Sequence, residues 1–175
     1  MSGASPVIGW VVDVQHDFMV PAPQGGRLYV HDLFDAADPG AVLAQPAIER
    51  TVAWLAAHAD RLVFTGDWHA LGDREIDPVA PDAARGTYPP HCMGLSPDPV
   101  ERAGAALLPS IAPADPCVLG RDATEGEARA VAAAMRSAAG RRGRAAFVHK
   151  REFSVFDGNP GADAFVRALV DDLAA

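Results

Sequence analysis

The sequence predicts an α/β protein: a parallel sheet with helices on both faces. Three observations carry this. Short apolar runs at 7–14, 61–65 and 145–149 read as buried strands. Stretches of helical spacing separate them, and that alternation is the pattern of strand–helix–strand units. Each run also leads into a charged residue: Asp13, Asp67 and Lys150 respectively. In open α/β sheets the carboxyl ends of the strands border the ligand crevice, so these charges fall where chemistry is expected.

Residues 7–14 form an apolar run that stops on Asp13. Pro21, Pro23, Gly25 and Gly26 then break regular structure, residues 27–34 read as a short extended piece, and Asp38-Pro39-Gly40 signals a turn. From 46 to 58, Ala47, Ile48, Val52, Leu55 and Ala56 keep helical spacing behind Pro46, which suits a first turn. Residues 61–65 make the second strand, followed by Gly66-Asp67-Trp68-His69. Residues 70–100 are proline-rich and weakly periodic, and a stretch of that kind inside a compact domain is usually functional. A short strand fits 116–119. Thr124-Glu-Gly-Glu127 has the form of a capping box ahead of an alanine-rich helix running to about 139. Gly140 and the Arg141-Arg142-Gly143-Arg144 cluster close it as a solvated helix end. Residues 145–149 form the third strand and lead into Lys150. Asn159-Pro160 introduces an amphipathic helix with Phe165, Leu169, Val170 and Leu173. Only three strands are convincing, so the sheet is expected to be incomplete, with its first strand at an open edge.

Composition narrows the function. The 175 residues suit one domain, 1–175, and 49% apolar content suffices for a core. A net charge of −8 speaks against nucleic acid or an anionic membrane as partner, since both need clustered Lys and Arg. No apolar run is long enough to span a bilayer. The first residues lack the basic and apolar regions of a signal peptide. Two cysteines, Cys92 and Cys117, make no disulfide framework, and a reducing, cytoplasmic setting is expected.

Three groups of residues suggest chemistry. Asp13, at the end of a buried strand, is a candidate general base, because burial can raise a carboxyl pKa; the plainer alternative is an acid capping nearby amides. Gln15 and Asp17 would organise the turn after it, and Phe18 would wall a pocket or join the core. Asp67 and His69 lie two apart, on one side of an extended chain, and with His91 they offer donors suited to zinc, manganese or ferrous iron. Glu75 or Asp73 could supply a fourth ligand. Lys150, the only lysine in the chain, follows a buried strand and could hold Asp13 ionised or stabilise developing negative charge; its alternative is a simple salt bridge. Cys92 and Cys117 read as buried thiols rather than nucleophiles.

Together these segments resemble the isochorismatase-like cysteine hydrolases, and within them the nicotinamidases. Val11-Val-Asp13-Val-Gln15-His-Asp17-Phe18 is similar to the family's opening motif, with Asp13 in the place of the catalytic aspartate. Asp67-Trp68-His69 is similar to its metal motif, and Tyr88-Pro-Pro-His91-Cys92 to the segment supplying a further metal histidine. His149-Lys150 with Phe153-Ser-Val-Phe156 is similar to the catalytic-lysine segment. The resemblance implies a three-layer Rossmann-like sheet and hydrolysis of a small-molecule carboxamide, such as nicotinamide in NAD salvage, through a cysteine thioester. It implies Asp13 and Lys150 as catalytic residues, a divalent metal on Asp67, His69 and His91, and Phe18 and Trp68 at the substrate.

Two departures accompany it. Gly72-Asp73-Arg74-Glu75 stands where the family usually carries another histidine ligand, so either Glu75 substitutes or the metal site is altered. No cysteine matches the family's nucleophile, which follows a later strand; the sequence given is expected to be the amino-terminal portion of the fold, inactive alone. The alternatives are a catalytically dead metal- or ligand-binding member, half of an assembly completed by another chain through the open sheet edge, or a metallohydrolase that uses metal-activated water and no cysteine; self-association is expected as well.

Overall fold

A computed structural model describes residues 5–32, 34–35, 37–136 and 143–174. In chain order the elements are β1 (Ile8–Val12), α1 (His16–Met19), α2 (Gln45–His58), β2 (Arg61–Asp67), α3 (Pro99–Ala103), β3 (Cys117–Leu119), α4 (Glu125–Ala134), β4 (Ala146–Lys150), α5 (Val155–Gly158) and α6 (Ala162–Ala174). The four strands form one parallel sheet in the order β1-β2-β4-β3. The weakest predicted strand, at 116–119, is therefore a true edge strand, and the sheet has four members rather than three.

Side-chain alternation sends the inner strands' residues to two cores. Val63 of β2 with Ala146 and Val148 of β4 face a core closed by α4 and α6, where Ala128, Ala132, Phe165 and Leu169 are buried. Phe64 and Phe147 point the other way, joining Val52 of α2 and the segment carrying Leu107, Leu108 and Ile111. Both strands are buried on both faces, which is why they read as continuous apolar runs rather than alternating ones.

Among the described residues of 27–34, none belongs to a strand. The Leu28 N–H donates to the Asp17 carbonyl and the Val30 N–H to the Phe18 carbonyl, so the segment wraps α1 instead of pairing in a sheet. The alanine-rich helix ends at Ala134 rather than near 139; residues 137–142, including Gly140, Arg141 and Arg142, lie outside the described residues. Arg144 pairs with Asp115 at 2.7 Å. Among the described residues, no helix is long and apolar enough to cross a membrane.

Register decides where the site forms. Val12 lies opposite Thr65, so Asp13 leaves β1 just as β2 approaches its end, and the Asp13 N–H still reaches the Thr65 carbonyl at 3.1 Å. Asp67, the last residue of β2, lies opposite Lys150, the last of β4. Three charges from three neighbouring strands thus reach the same end of the sheet.

Candidate active site and metal centre

Asp13 is held in a conformation few non-glycine residues adopt, with φ at 55°. That backbone turn aims its carboxylate across the strand ends. Oδ1 accepts from the Thr65 hydroxyl at 3.1 Å, and Oδ2 lies 3.0 Å from Lys150 Nζ. Burial raises the Asp13 pKa, and the Asp67 charge adds to this, against the opposing pull of Lys150.

The Lys150 ammonium is buried and also donates to Asp67 Oδ1. Burial alone would lower its pKa; Asp67 and Asp13 outweigh that and raise it. One ammonium is thus shared by two carboxylates, a compensation that a buried cation requires.

Asp67 faces two ways. Its Oδ1 meets Lys150, while its Oδ2 lies 3.7 Å from both His69 Nε2 and His91 Nε2. Burial works to raise the Asp67 pKa, but the two imidazoles and Lys150 prevail and hold it far below the usual carboxylate range. Gln15 fixes its backbone. The Asp67 N–H donates to Gln15 Oε1 at 2.7 Å, and Gln15 Nε2 donates to the Asp67 carbonyl at 2.8 Å and the Ala105 carbonyl at 2.7 Å. The approach needs glycine at 66, where a Cβ would stand 2.7 Å from Gln15 Cδ.

The two histidines arrive oriented. His91 Nδ1 is 2.8 Å from the Pro89 carbonyl, which can only accept, so the hydrogen is assigned to Nδ1 and the Nε2 lone pair faces Asp67. His69 Nδ1 is 3.2 Å from Asp73 Oδ2, while its Nε2 is buried without a hydrogen-bond partner. Such an orphaned buried nitrogen is what a ligand atom looks like when its ion is left out. Donor atoms of Asp67, His69 and His91 lie within 4.8 Å of one another. A carboxylate and two imidazoles suit a borderline divalent ion, so these residues fit a metal.

Glu75 is not one of the three converging ligands. Its carboxylate accepts from the Phe153 N–H at 2.8 Å, and burial raises its pKa. Asp73 serves the outer nitrogen of His69. Phe18 stacks at a tilt on His91, ring centroids 5.4 Å apart, so it walls the histidine side of the site. Trp68 instead stacks flat on His149 at 3.9 Å and lines a cavity of about 530 Å³ with Arg121 and Leu95.

Neither cysteine is placed to attack. Cys92 is fully buried, its thiol points at the Gly104 carbonyl at 3.7 Å, and burial pushes its pKa well up. Cys117 belongs to the core beside α4. The buried Asp17 carboxylate accepts the Cys92 N–H at 2.7 Å and so anchors the turn that presents His91; Cys92 itself has φ at 44°. The Thr65–Asp13 and Arg121–Asp73 pairings were not legible from spacing, because they join residues 52 and 48 positions apart. Comparison of the chain with protein-family models, curated proteins and solved structures finds no match.

Proposed function

We propose that this site is the base-and-metal part of a carboxamide hydrolase of the nicotinamidase type, within the isochorismatase-like cysteine hydrolases. The observation that supports it is Lys150 Nζ, set between Asp13 Oδ2 at 3.0 Å and an Asp67 whose far oxygen meets two histidines. Asp13 takes the proton of the attacking group. Its raised pKa makes it a stronger base than a free carboxylate, and 24% side-chain exposure leaves it open to a reactant. Lys150 holds Asp13 in place and steadies negative charge as it develops. A divalent ion held by Asp67, His69 and His91 would orient a heteroaromatic carboxamide by its ring nitrogen. Phe18 offers that ring an apolar wall.

The nucleophile is assigned to neither Cys92 nor Cys117, since both thiols are buried and turned away. In this reading the attacking thiol reaches Asp13 from outside the described residues. The state of the two cysteines also favours a second reading of these residues alone, as a metal-binding unit without turnover.

Two measurements test this. The 175-residue chain is expected to release no ammonia from nicotinamide; release that disappears in Asp13→Ala would overturn the assignment of the nucleophile. Metal analysis is expected to find zinc, iron or manganese in the purified protein and little in a His69→Ala, His91→Ala double variant. Equal content in the two proteins would remove the metal centre.

A further inference from the structure

We propose that Asp73 and Arg121 form a positioning relay for His69, and that this relay sets the affinity of the Asp67–His69–His91 centre for a divalent ion. The proposal rests on the metal reading above and assigns residues that the reading leaves unused. Asp73 Oδ2 accepts from His69 Nδ1 at 3.2 Å and from the Ala70 N–H at 2.9 Å. Arg121 grips the same carboxylate with both ends of its guanidinium. Nη1 donates to Oδ2, and Nη2 donates to Oδ1 at 2.8 Å. Nη1 also donates to the Trp68 carbonyl at 2.8 Å.

His69 is therefore clamped on three sides. The carbonyl before it, the amide after it and its own outer nitrogen all lead to Asp73 or Arg121. The clamp is nearly dry, with side-chain exposures of 11% for Asp73 and 10% for Arg121. It is also long-range: Arg121 lies 48 residues further along the chain, in the turn after β3. The edge strand thus reaches the metal loop through one forked contact, a geometry that lysine cannot reproduce.

The chemistry follows from the hydrogen bond. A carboxylate on Nδ1–H holds the tautomer in which Nε2 carries the lone pair, fixes the ring plane and makes Nε2 a better donor. Arg121 reaches the His69 ring only through Asp73, whose carboxylate it keeps from rotating away; its bond to the Trp68 carbonyl holds backbone that the Trp68 N–H, donating to the Lys150 carbonyl at 2.8 Å, already fixes.

That dependence separates a relay from two independent staples. The full chain is titrated with Co(II), followed by the visible absorption of the bound ion, in wild type, Asp73→Ala, Arg121→Met and the double variant. Asp73→Ala is expected to weaken Co(II) binding by about 10–100-fold. Arg121→Met weakens it in the same direction by less. The double variant is expected to be no weaker than Asp73→Ala, because a residue that works through another adds nothing once that other is gone. Thermal melting of each metal-free protein checks folding; should Asp73→Ala fail to fold, Asp73→Asn replaces it and is expected to lose affinity in the same direction.

Unchanged affinity in either single variant overturns the relay, as does a double variant whose loss is the product of the two single losses. If Co(II) binding disappears in His69→Ala, His91→Ala but keeps its wild-type affinity in the Asp73 and Arg121 variants, only the relay fails. If wild type does not bind Co(II), or binds it equally well without the two histidines, the metal centre fails and the relay with it.

Discussion

A single buried imidazole gives the clearest acid sensitivity in the molecule. His149, next to Lys150, stacks on Trp68, and burial pulls its pKa down to about 4. The unfolded chain would titrate this group near 6.5. Between those values the unfolded state takes up a proton that the folded state refuses. Its contribution is therefore complete above about pH 6.5 and is lost as the pH falls toward 4, by about 3 kcal/mol. Asp13 and Glu75, with raised values, act in the opposite sense over part of this range, so the difference between two proteins is the useful quantity. His149→Phe keeps an aromatic ring against Trp68 and removes the proton. Urea denaturation from pH 7 to pH 4 should show the variant gaining on wild type as the pH falls; parallel curves would mean that His149 does not govern the slope. Asp17 illustrates a different kind of residue. Its carboxylate fills the space a Cβ at Gly104 would need, 2.1 Å away, and its value lies in fixing backbone rather than in charge.

At the scale of elements, what was legible in the sequence was what local physics decides. The capping box at Thr124 and Glu127 forms as its spacing indicates, with the Glu127 N–H donating to Thr124 Oγ1 at 3.3 Å and the Thr124 N–H to Glu127 Oε2 at 2.8 Å. Thr124→Ala should cost about 1 kcal/mol in chemical denaturation. Phe165 and Leu169 face the core one turn apart, as the periodicity of α6 requires. Phe165 is completely buried between α6 and the sheet, so Phe165→Ala should cost about 3–5 kcal/mol by the same measurement. A loss below 1 kcal/mol would mean that this face is not packed as described. The strand ends were legible too, since an apolar run that stops on a charge marks both a boundary and a site. Pairing across the sheet was not. Asn159 was readable only as a helix signal, yet its amide donates to the Gly120 and His149 carbonyls at 2.9 Å and 2.7 Å and ties the ends of β3 and β4 together. Glu75 looked as eligible a ligand as Asp73 along the loop; only the fold sends one to Phe153 and the other to Arg121.

For the molecule as a whole, the sheet is asymmetric in its cover. The α4–α6 layer closes over β2, β4 and β3 but thins toward β1, where Ile8 and Trp10 are only partly buried and Val12 is 59% exposed. Beyond Asp13 the chain is capped, since the Leu108 N–H donates to the Val14 carbonyl and the His16 N–H to the Ala106 carbonyl. Among the described residues, 8–12 have a strand partner on one side only, β2. An open strand edge and an uncovered apolar stripe therefore coincide on one element, which is the combination most prone to pairing with another strand. Near neutral pH the net charge of −8 opposes close approach of two copies, and added salt screens that repulsion. Self-association should accordingly rise with protein concentration and with ionic strength. Val12→Lys sets a charge on the exposed stripe without entering either core, and it should lower the association. Sedimentation velocity of wild type and variant over a concentration series at low and high salt measures this directly. A wild-type chain that remains monomeric throughout and melts in one sharp transition would show that β1 needs no further cover.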